Sequence, residues 1–186
     1  MDLGRLLEDS GAVLRGHFVL SSGRHSDVYF EKFRVLEQPH VLTALCAEIA
    51  DHFRTAKLDA VAGPLTGGII IAFEVARQMN LPAVYVESEN GQKTLRRGKT
   101  LEPGTRVLVV DDVLTTGLSV NETIQAIQNA GGEVAGVAVL IDRASDAIDF
   151  GCPQFAAFRV QAQSYDPQNV PESLAEIPIQ KPGSRA

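Results

Sequence analysis

The sequence predicts an α/β fold with a central, mainly parallel sheet and helices on both of its faces. Two stretches, 60–87 and 106–141, each run strand, glycine-bearing loop, helix, strand, which is the order of a βαβ unit. The strand segments RVLVV and VAGVAVLI are almost continuously apolar, as strands covered on both faces must be. A chain of 186 residues and 20.0 kDa, with 45% hydrophobic and 22% charged residues, is also large enough to bury a core and ordinary in composition for one folded domain.

Over 2–14, Leu3, Leu6, Leu7, Val13 and Leu14 recur at helical spacing with Gly11 interrupting, so a short N-terminal helix is expected. GHFVLSSGRHSDVYFEKFRVL then joins two aromatic and β-branched runs through an SSG turn, the pattern of a hairpin or a small irregular hood. Pro39 opens a helix that reaches about Arg54, with Leu42, Leu45, Cys46, Ile49 and Phe53 as its apolar stripe. The first βαβ unit follows as strand 60–62, loop GPLTGG, helix 69–79 and strand 83–87. Next, ESENGQKTLRRGKTLEPG is polar and short of apolar anchors, so a mobile loop or an extended hairpin over the site is expected. The second unit runs strand 106–110, loop DDVLTTG, helix 119–130, a Gly131-Gly132 stop and strand 134–141. From Gln161 the tail carries Pro167, Pro171, Pro178 and Pro182, and an extended course over the surface is expected.

Bulk chemistry excludes several classes of function. A net charge of −6 and a pI near 5.2 have the wrong sign for gripping a polyphosphate backbone, so no nucleic-acid partner is expected. The longest apolar runs, 67–73 and 134–141, fall far short of the roughly 18 to 20 residues that cross a bilayer. MDLGRLLEDS carries acids where a signal peptide has a basic start, and a cytoplasmic protein without a membrane partner is expected. Cys46 and Cys152 lack metal-ligand spacing and read as small buried apolar residues, with no disulfide expected in a reducing compartment. His17, His25, His40 and His52 show no metal spacing and are assigned no catalysis, and no G-x-S-x-G elbow is present.

The chemistry concentrates in VLVVDDVLTTGLS, from Val107 to Ser119. Here an apolar strand ends in adjacent carboxylates, and a TTG turn precedes the next helix. A loop closing into a helix N-terminus presents unpaired N–H groups and the positive end of the dipole to a phosphate. Thr115 and Thr116 add hydroxyls, while Gly117 permits close approach. Carboxylates at the C-terminal edge of a strand suit sugar hydroxyls or hydrated Mg2+. The alternative is that Asp111 and Asp112 merely cap a turn. Adjacent acids behind a buried strand oppose it, because desolvating like charges costs stability unless a ligand uses them.

This segment closely resembles the phosphoribosyl pyrophosphate (PRPP) motif of type I phosphoribosyltransferases. Together with GHFVLSSGRHSDVYF, GPLTGG, LIDR at 140–143 and the closing KPGSR, it makes nearly the whole chain similar to the orotate phosphoribosyltransferase family. The resemblance implies a single type I phosphoribosyltransferase-like domain over 1–186, with a small hood formed largely by about 1–36 and parts of the C-terminal tail. It also implies transfer of ribose 5-phosphate from PRPP to orotate, giving orotidine 5'-phosphate and pyrophosphate in pyrimidine biosynthesis, with Mg2+ as cofactor and a homodimeric assembly.

By the same resemblance, Asp111 and Asp112 would hold the ribose hydroxyls. Val113, Leu114, Thr115, Thr116, Gly117, Leu118 and Ser119 would wrap the 5-phosphate. Thr115 and Arg143 match orotate contacts, and a guanidinium pairs well with a planar carboxylated pyrimidine. Tyr29 and Phe30 match hood aromatics that lie against the base. GPLTGG is similar to the family's pyrophosphate loop, with Thr66 and Gly67 where many members carry a lysine, so backbone N–H groups would supply that contact. A glycine turn by itself is equally compatible with simple close packing. Glu87-Ser88-Glu89 stands where the family has Arg-Lys-Glu, and the cations that follow are Lys93, Arg96, Arg97 and Lys99. Of these, Lys93, Arg96 and Arg97 are the candidates for catalytic charge on a closing loop, and a solvated basic hairpin is the competing reading. No protein metal ligand is implied, Mg2+ being held mainly through PRPP and water. A purine phosphoribosyltransferase would share the sugar site but not Tyr29-Phe30 or LIDR, and a nucleic-acid-binding regulator on this fold is opposed by the net charge.

Overall fold

The computed structural model describes residues 2–20, 23–89, 91–160 and 164–180. Two compact units make up the chain, one of Met1–Val41 with Val160–Ala186 and one of Leu42–Arg159.

In the first unit, helix α1 (Leu3–Asp9) starts at Asp2, whose side chain accepts the Arg5 N–H, and it stops early. Gly11 turns the chain at φ +74°, and Val13 and Leu14 enter strand β1 (Val13–Val19) instead of prolonging the helix. Glycine tolerates the left-handed turn and β-branched Val13 favours the strand, which is why the helical spacing over 2–14 breaks there. Strand β2 (His25–Phe30) pairs antiparallel with β1, so the expected hairpin forms, although Ser21 and Ser22 of its turn lie outside the described residues. Helix α2 (Lys32–Leu36) follows, and helix α3 (Pro39–His52) leads into the second unit. The tail returns as strand β9 (Ser164–Tyr165), helix α6 (Glu172–Ala175) and strand β10 (Ile179–Gln180), completing a sheet in the order β10-β1-β2-β9. The tail is therefore built into a sheet rather than merely laid over a surface, and KPGSRA lies outside the described residues.

The second unit holds a six-stranded sheet made of β3 (Ala60–Pro64), β4 (Ala83–Glu89), β5 (Gln92–Leu95), β6 (Arg106–Leu114), β7 (Glu133–Asp142) and β8 (Gln154–Arg159). Their order is β5-β4-β3-β6-β7-β8, all neighbours parallel except the β4–β5 hairpin. Helices α4 (Gly67–Met79) and α5 (Leu118–Asn129) are the two crossovers. Val120, Ile124 and Ile127 of α5 pack with Ala60, Ala62, Val107 and Val109 on one face. On the other, a Cβ placed on Gly136 would stand 2.6 Å from the Phe53 ring, close to Leu108, at the end of α3. Strand alternation explains the division, since residues of one parity along β6 face α5 and those of the other face the opposite layer.

α3 and α4 are joined by a polar fan around Glu74. The carboxylate accepts bonds from Thr43 Oγ1 (3.0 Å), Gln78 Nε2 (2.7 Å) and both Arg77 Nε (2.9 Å) and Nη2 (2.8 Å). Led by the Arg77 bonds, these donors hold Glu74 down at a pKa of about 2.

Cys46 is buried and Cys152 half-buried, both with free thiols, and burial pushes both thiols up.

Candidate functional site

β6 does not end at Val110. Its pairing with β7 continues through Asp111 opposite Val139, Val113 opposite Ile141 and Leu114 opposite Asp142. The two acids are thus strand residues, 5% and 8% exposed, and adjacency on a strand turns them to opposite faces. Asp111 faces α5, where Ser119 Oγ donates to its Oδ2 at 2.7 Å, and its Oδ1 accepts the Asp112 N–H at 2.9 Å. Asp112 Oδ1 accepts the Val113 N–H at 2.7 Å. Burial pushes Asp111 above the usual carboxylate range, with the Ser119 bond and the Lys93 charge working against that and Asp112 adding to it.

Past Leu114 the chain opens. Thr115 and Thr116 are exposed, and Gly117 sits at φ +76° as the N-cap of α5 with no side-chain capping bond. Thr116 Oγ1 accepts the Leu118 N–H at 3.5 Å, and the rest of the first turn of α5 sets backbone N–H groups beside the Thr115 hydroxyl, the arrangement expected for an anion seat. Gly117 has little space for a side chain, since a Cβ there would stand 3.1 Å from Phe150 Cζ and 3.2 Å from Ile148. The segment after β7 thus buttresses the turn. Arg143 begins that segment, and its N–H donates to the Leu114 carbonyl at 2.9 Å, which places it beside Thr115. Asp142 pairs with Arg159 at 3.4 Å and accepts the Ala144 N–H.

The second loop, from Pro64 to α4, contains a cis peptide bond between Leu65 and Thr66. Leu65 and Thr66 are exposed, while Gly67 and Gly68 are already in the first helical turn and buried. A Cβ on Gly63 would meet the Gly68 carbonyl oxygen at 2.0 Å, and one on Gly68 would meet Pro64 Cδ at 2.4 Å. Close packing is therefore the reason for these two glycines. Thr66 and Gly67 remain at an N-terminus whose N-cap hydroxyl makes no capping bond.

The expected loop over 87–104 is an extended hairpin in its first part. β4 and β5 pair from Val86 opposite Leu95 to Glu89 opposite Gln92, with Asn90 outside the described residues. Lys93, Arg96 and Arg97 make different contacts. Arg96 and Arg97 are exposed in the following 3-10 turn, Arg97 at φ +58°, and Arg96 lies 3.8 Å from Glu87. Lys93 instead reaches across to α5, 2.8 Å from both the carbonyl and the hydroxyl of Ser119. The sequence marked Lys93 by charge alone, and nothing local distinguishes it from its neighbours.

In the first unit, Tyr29 and Phe30 lie at the end of β2 on opposite faces of the strand. Phe30 is 5% exposed, and the half-buried Tyr29 ring is 5.6 Å from Phe18. The two aromatics therefore cannot present their rings to one side together. Among the described residues no group of three or more His, Cys, Asp or Glu side chains could hold a metal ion, and no helix is long and apolar enough to cross a membrane.

Comparison with known proteins gives this geometry its family. The phosphoribosyl transferase domain model matches residues 34–150. An orotate phosphoribosyltransferase of Pelotomaculum thermopropionicum is 46% identical over 97% of this chain and 95% of its own length. The chain belongs to the orotate phosphoribosyltransferase family. A second relative of that name, from Carboxydothermus hydrogenoformans, is 43% identical over 100% of this chain and 98% of its own. The crystal structure of orotate phosphoribosyltransferase from Aeropyrum pernix superposes with a TM-score of 0.72 at 32% identity, covering 86% of this chain and 94% of that one. The fold read from the sequence is thus the type I phosphoribosyltransferase fold.

Proposed function

We propose that the end of β6 and the first turn of α5 bind PRPP and that the chain transfers its ribose 5-phosphate to orotate, releasing pyrophosphate and forming orotidine 5'-phosphate. The observation that carries this reading is the sequence of environments from Asp111 to Ser119. Two buried carboxylates give way within a few residues to two exposed threonines at the N-terminus of α5, with the Arg143 backbone bonded to Leu114 just before them.

Asp111 and Asp112 accept from the two ribose hydroxyls at the end of β6, one from each side of the strand. Val113 to Ser119 enclose the 5-phosphate, mainly through N–H groups and the Thr115 and Thr116 hydroxyls. Arg143 pairs with the orotate carboxylate, and Thr115 offers a hydroxyl to the same base. Tyr29 as the base-facing aromatic rests on the family resemblance, as does the hood role of the first unit. Thr66 and Gly67 offer backbone N–H groups to the pyrophosphate, and the exposed Arg96 and Arg97 offset its charge as it leaves. Orotate reacts with its N1 proton lost to solvent, and N1 bonds to C1' as the C1'–O bond to pyrophosphate breaks, so no side chain is assigned as the base.

The residues present fit Mg2+ only as a substrate-borne ion. Asp111 and Asp112 are hard oxygen donors that already accept from fixed donors, and they would meet the ion through water or the ribose hydroxyls, with PRPP oxygens holding it. When bound, the ion offsets the charge that builds on the pyrophosphate. A cytoplasmic homodimer is part of the same reading and is supported by the resemblance. Sedimentation as a fully active monomer would exclude the dimer.

An orotate-depletion assay with PRPP, with and without Mg2+, on wild type and Asp112→Asn tests the whole assignment. Mg2+-dependent loss of orotate in wild type, reduced at least tenfold in Asp112→Asn, is expected. Turnover of hypoxanthine or adenine with none of orotate would overturn it.

A further inference from the structure

Lys93 belongs to the β4–β5 hairpin, where a family reading expects charge aimed at pyrophosphate, yet its side chain is only 16% exposed and is spent elsewhere. Its ammonium lies 2.8 Å from Ser119 O, 2.8 Å from Ser119 Oγ, 3.4 Å from Thr123 Oγ1 and 3.4 Å from the Glu122 carboxylate. An ammonium has donors and no acceptor, so in the bond to Ser119 Oγ the hydroxyl must accept. The single hydroxyl proton is then left for Asp111 Oδ2, 2.7 Å away. Thr123 Oγ1 also donates to Ser119 O at 2.8 Å, which holds the helical turn under the ammonium. Ser119 Oγ is thus locked in one orientation, between a cation and a buried carboxylate.

We infer that Lys93 is a positioning residue for the ribose-phosphate half of the site, acting on Asp111 through Ser119. With the Asp112 amide on Oδ1 and Ser119 on Oδ2, each oxygen of Asp111 has one fixed donor, and its remaining lone pairs keep a fixed direction toward the sugar hydroxyls. The Ser119 proton is committed to Asp111, so Ser119 meets the 5-phosphate through its backbone N–H rather than its hydroxyl. Lys93 is therefore set apart from Arg96 and Arg97, whose side chains are exposed on the far side of buried Leu95. This assignment rests on the PRPP-binding reading above.

Lys93→Met keeps the aliphatic stem and removes the charge, and Lys93→Arg keeps the charge. In the full chain, Lys93→Met should raise KM for PRPP roughly tenfold while kcat and KM for orotate stay within about twofold, and Lys93→Arg should recover most of the loss. Ser119→Ala should weaken PRPP to a similar degree, and the two changes together should cost little more than either alone, because both break one chain of bonds. A fall in kcat with unchanged KM for PRPP, or fully additive losses, would overturn the inference in favour of a pyrophosphate contact. Calorimetric titration with PRPP alone separates the two levels of argument. PRPP binding by wild type without turnover of orotate would remove the orotate assignment and leave the Lys93 comparison intact. Equal PRPP affinity in wild type and Lys93→Met would remove the role of Lys93 whatever the base.

Discussion

Ser119 Oγ donates to Asp111 Oδ2 at 2.7 Å, tying the first turn of α5 to a carboxylate that is 5% exposed on β6. The bond supports a charge that burial opposes, and the balance between the two sets how this site trades stability against binding.

Because burial raises the pKa of Asp111, the folded chain holds that proton more tightly than the unfolded chain does. Raising the pH ionises the unfolded state first, so above the raised folded pKa the ionised carboxylate costs folding stability. Wild type should therefore lose stability as pH rises through the carboxylate range, and Asp111→Asn should not show that pH dependence, although its amide nitrogen leaves either the Asp112 N–H or the Ser119 hydroxyl without an acceptor. PRPP affinity should drop at least tenfold in the same variant. Calorimetric melts at neutral pH and about pH 4, beside PRPP titrations, check both halves; a difference from wild type that is the same at both pH values would contradict the first.

Gly117 combines φ +76° with contacts to Phe150 and Ile148 that a Cβ would compress. Gly117→Ala should cost about 1–2 kcal/mol from the left-handed backbone, with a further cost as the buttress shifts. Denaturant unfolding measures the loss, and KM for PRPP should rise more than KM for orotate because the phosphate turn moves first.

Glu74 has its folded pKa lowered to about 2 from 4.5, with the Arg77 bonds as the main cause. Its contribution is then present above pH 4.5 and is lost as pH falls from 4.5 toward about 2. Glu74→Gln should be less stable than wild type by about 1–2 kcal/mol at neutral pH and should converge on it at the acid end. Urea unfolding across that range checks it, with no change expected in substrate KM values.

Thr94 carries a buried hydroxyl that finds no hydrogen-bond partner among the described residues. Thr94→Val keeps the β-branched shape and removes the unpaired group, for an expected gain of about 1 kcal/mol. A gain of that size in a chain of this length raises the melting temperature by about 2–4 °C.

The central βαβ units were legible because their strands are continuously apolar and their helices are bounded by glycine, signals that act within a few residues. The helices read as 39–54, 69–79 and 119–130 appear as Pro39–His52, Gly67–Met79 and Leu118–Asn129. What local reading placed wrongly was the end of β6. Asp111 and Asp112 are poor strand formers, and they join the strand because β7 offers backbone partners and Ser119 a side-chain donor. The tail strands were missed for a similar reason, since Ile179 and Gln180 become a strand only by pairing with His17 and Phe18 of β1.

By itself the sequence determined the fold class, the strand-loop-helix grammar around Val107 to Ser119 and the family whose motif it matches. These depend on periodicity and residue type, which are local. Only the tertiary structure decided that the paired acids point to opposite faces, that Gly63 and Gly68 serve close packing, and that Lys93 turns to Ser119 while Arg96 and Arg97 remain exposed. A charged side chain carries no record of its partner. The partner is chosen when the β4–β5 hairpin and α5 meet over a shared apolar core, and Leu95 and Ile124 in that core bring Lys93 to the helix.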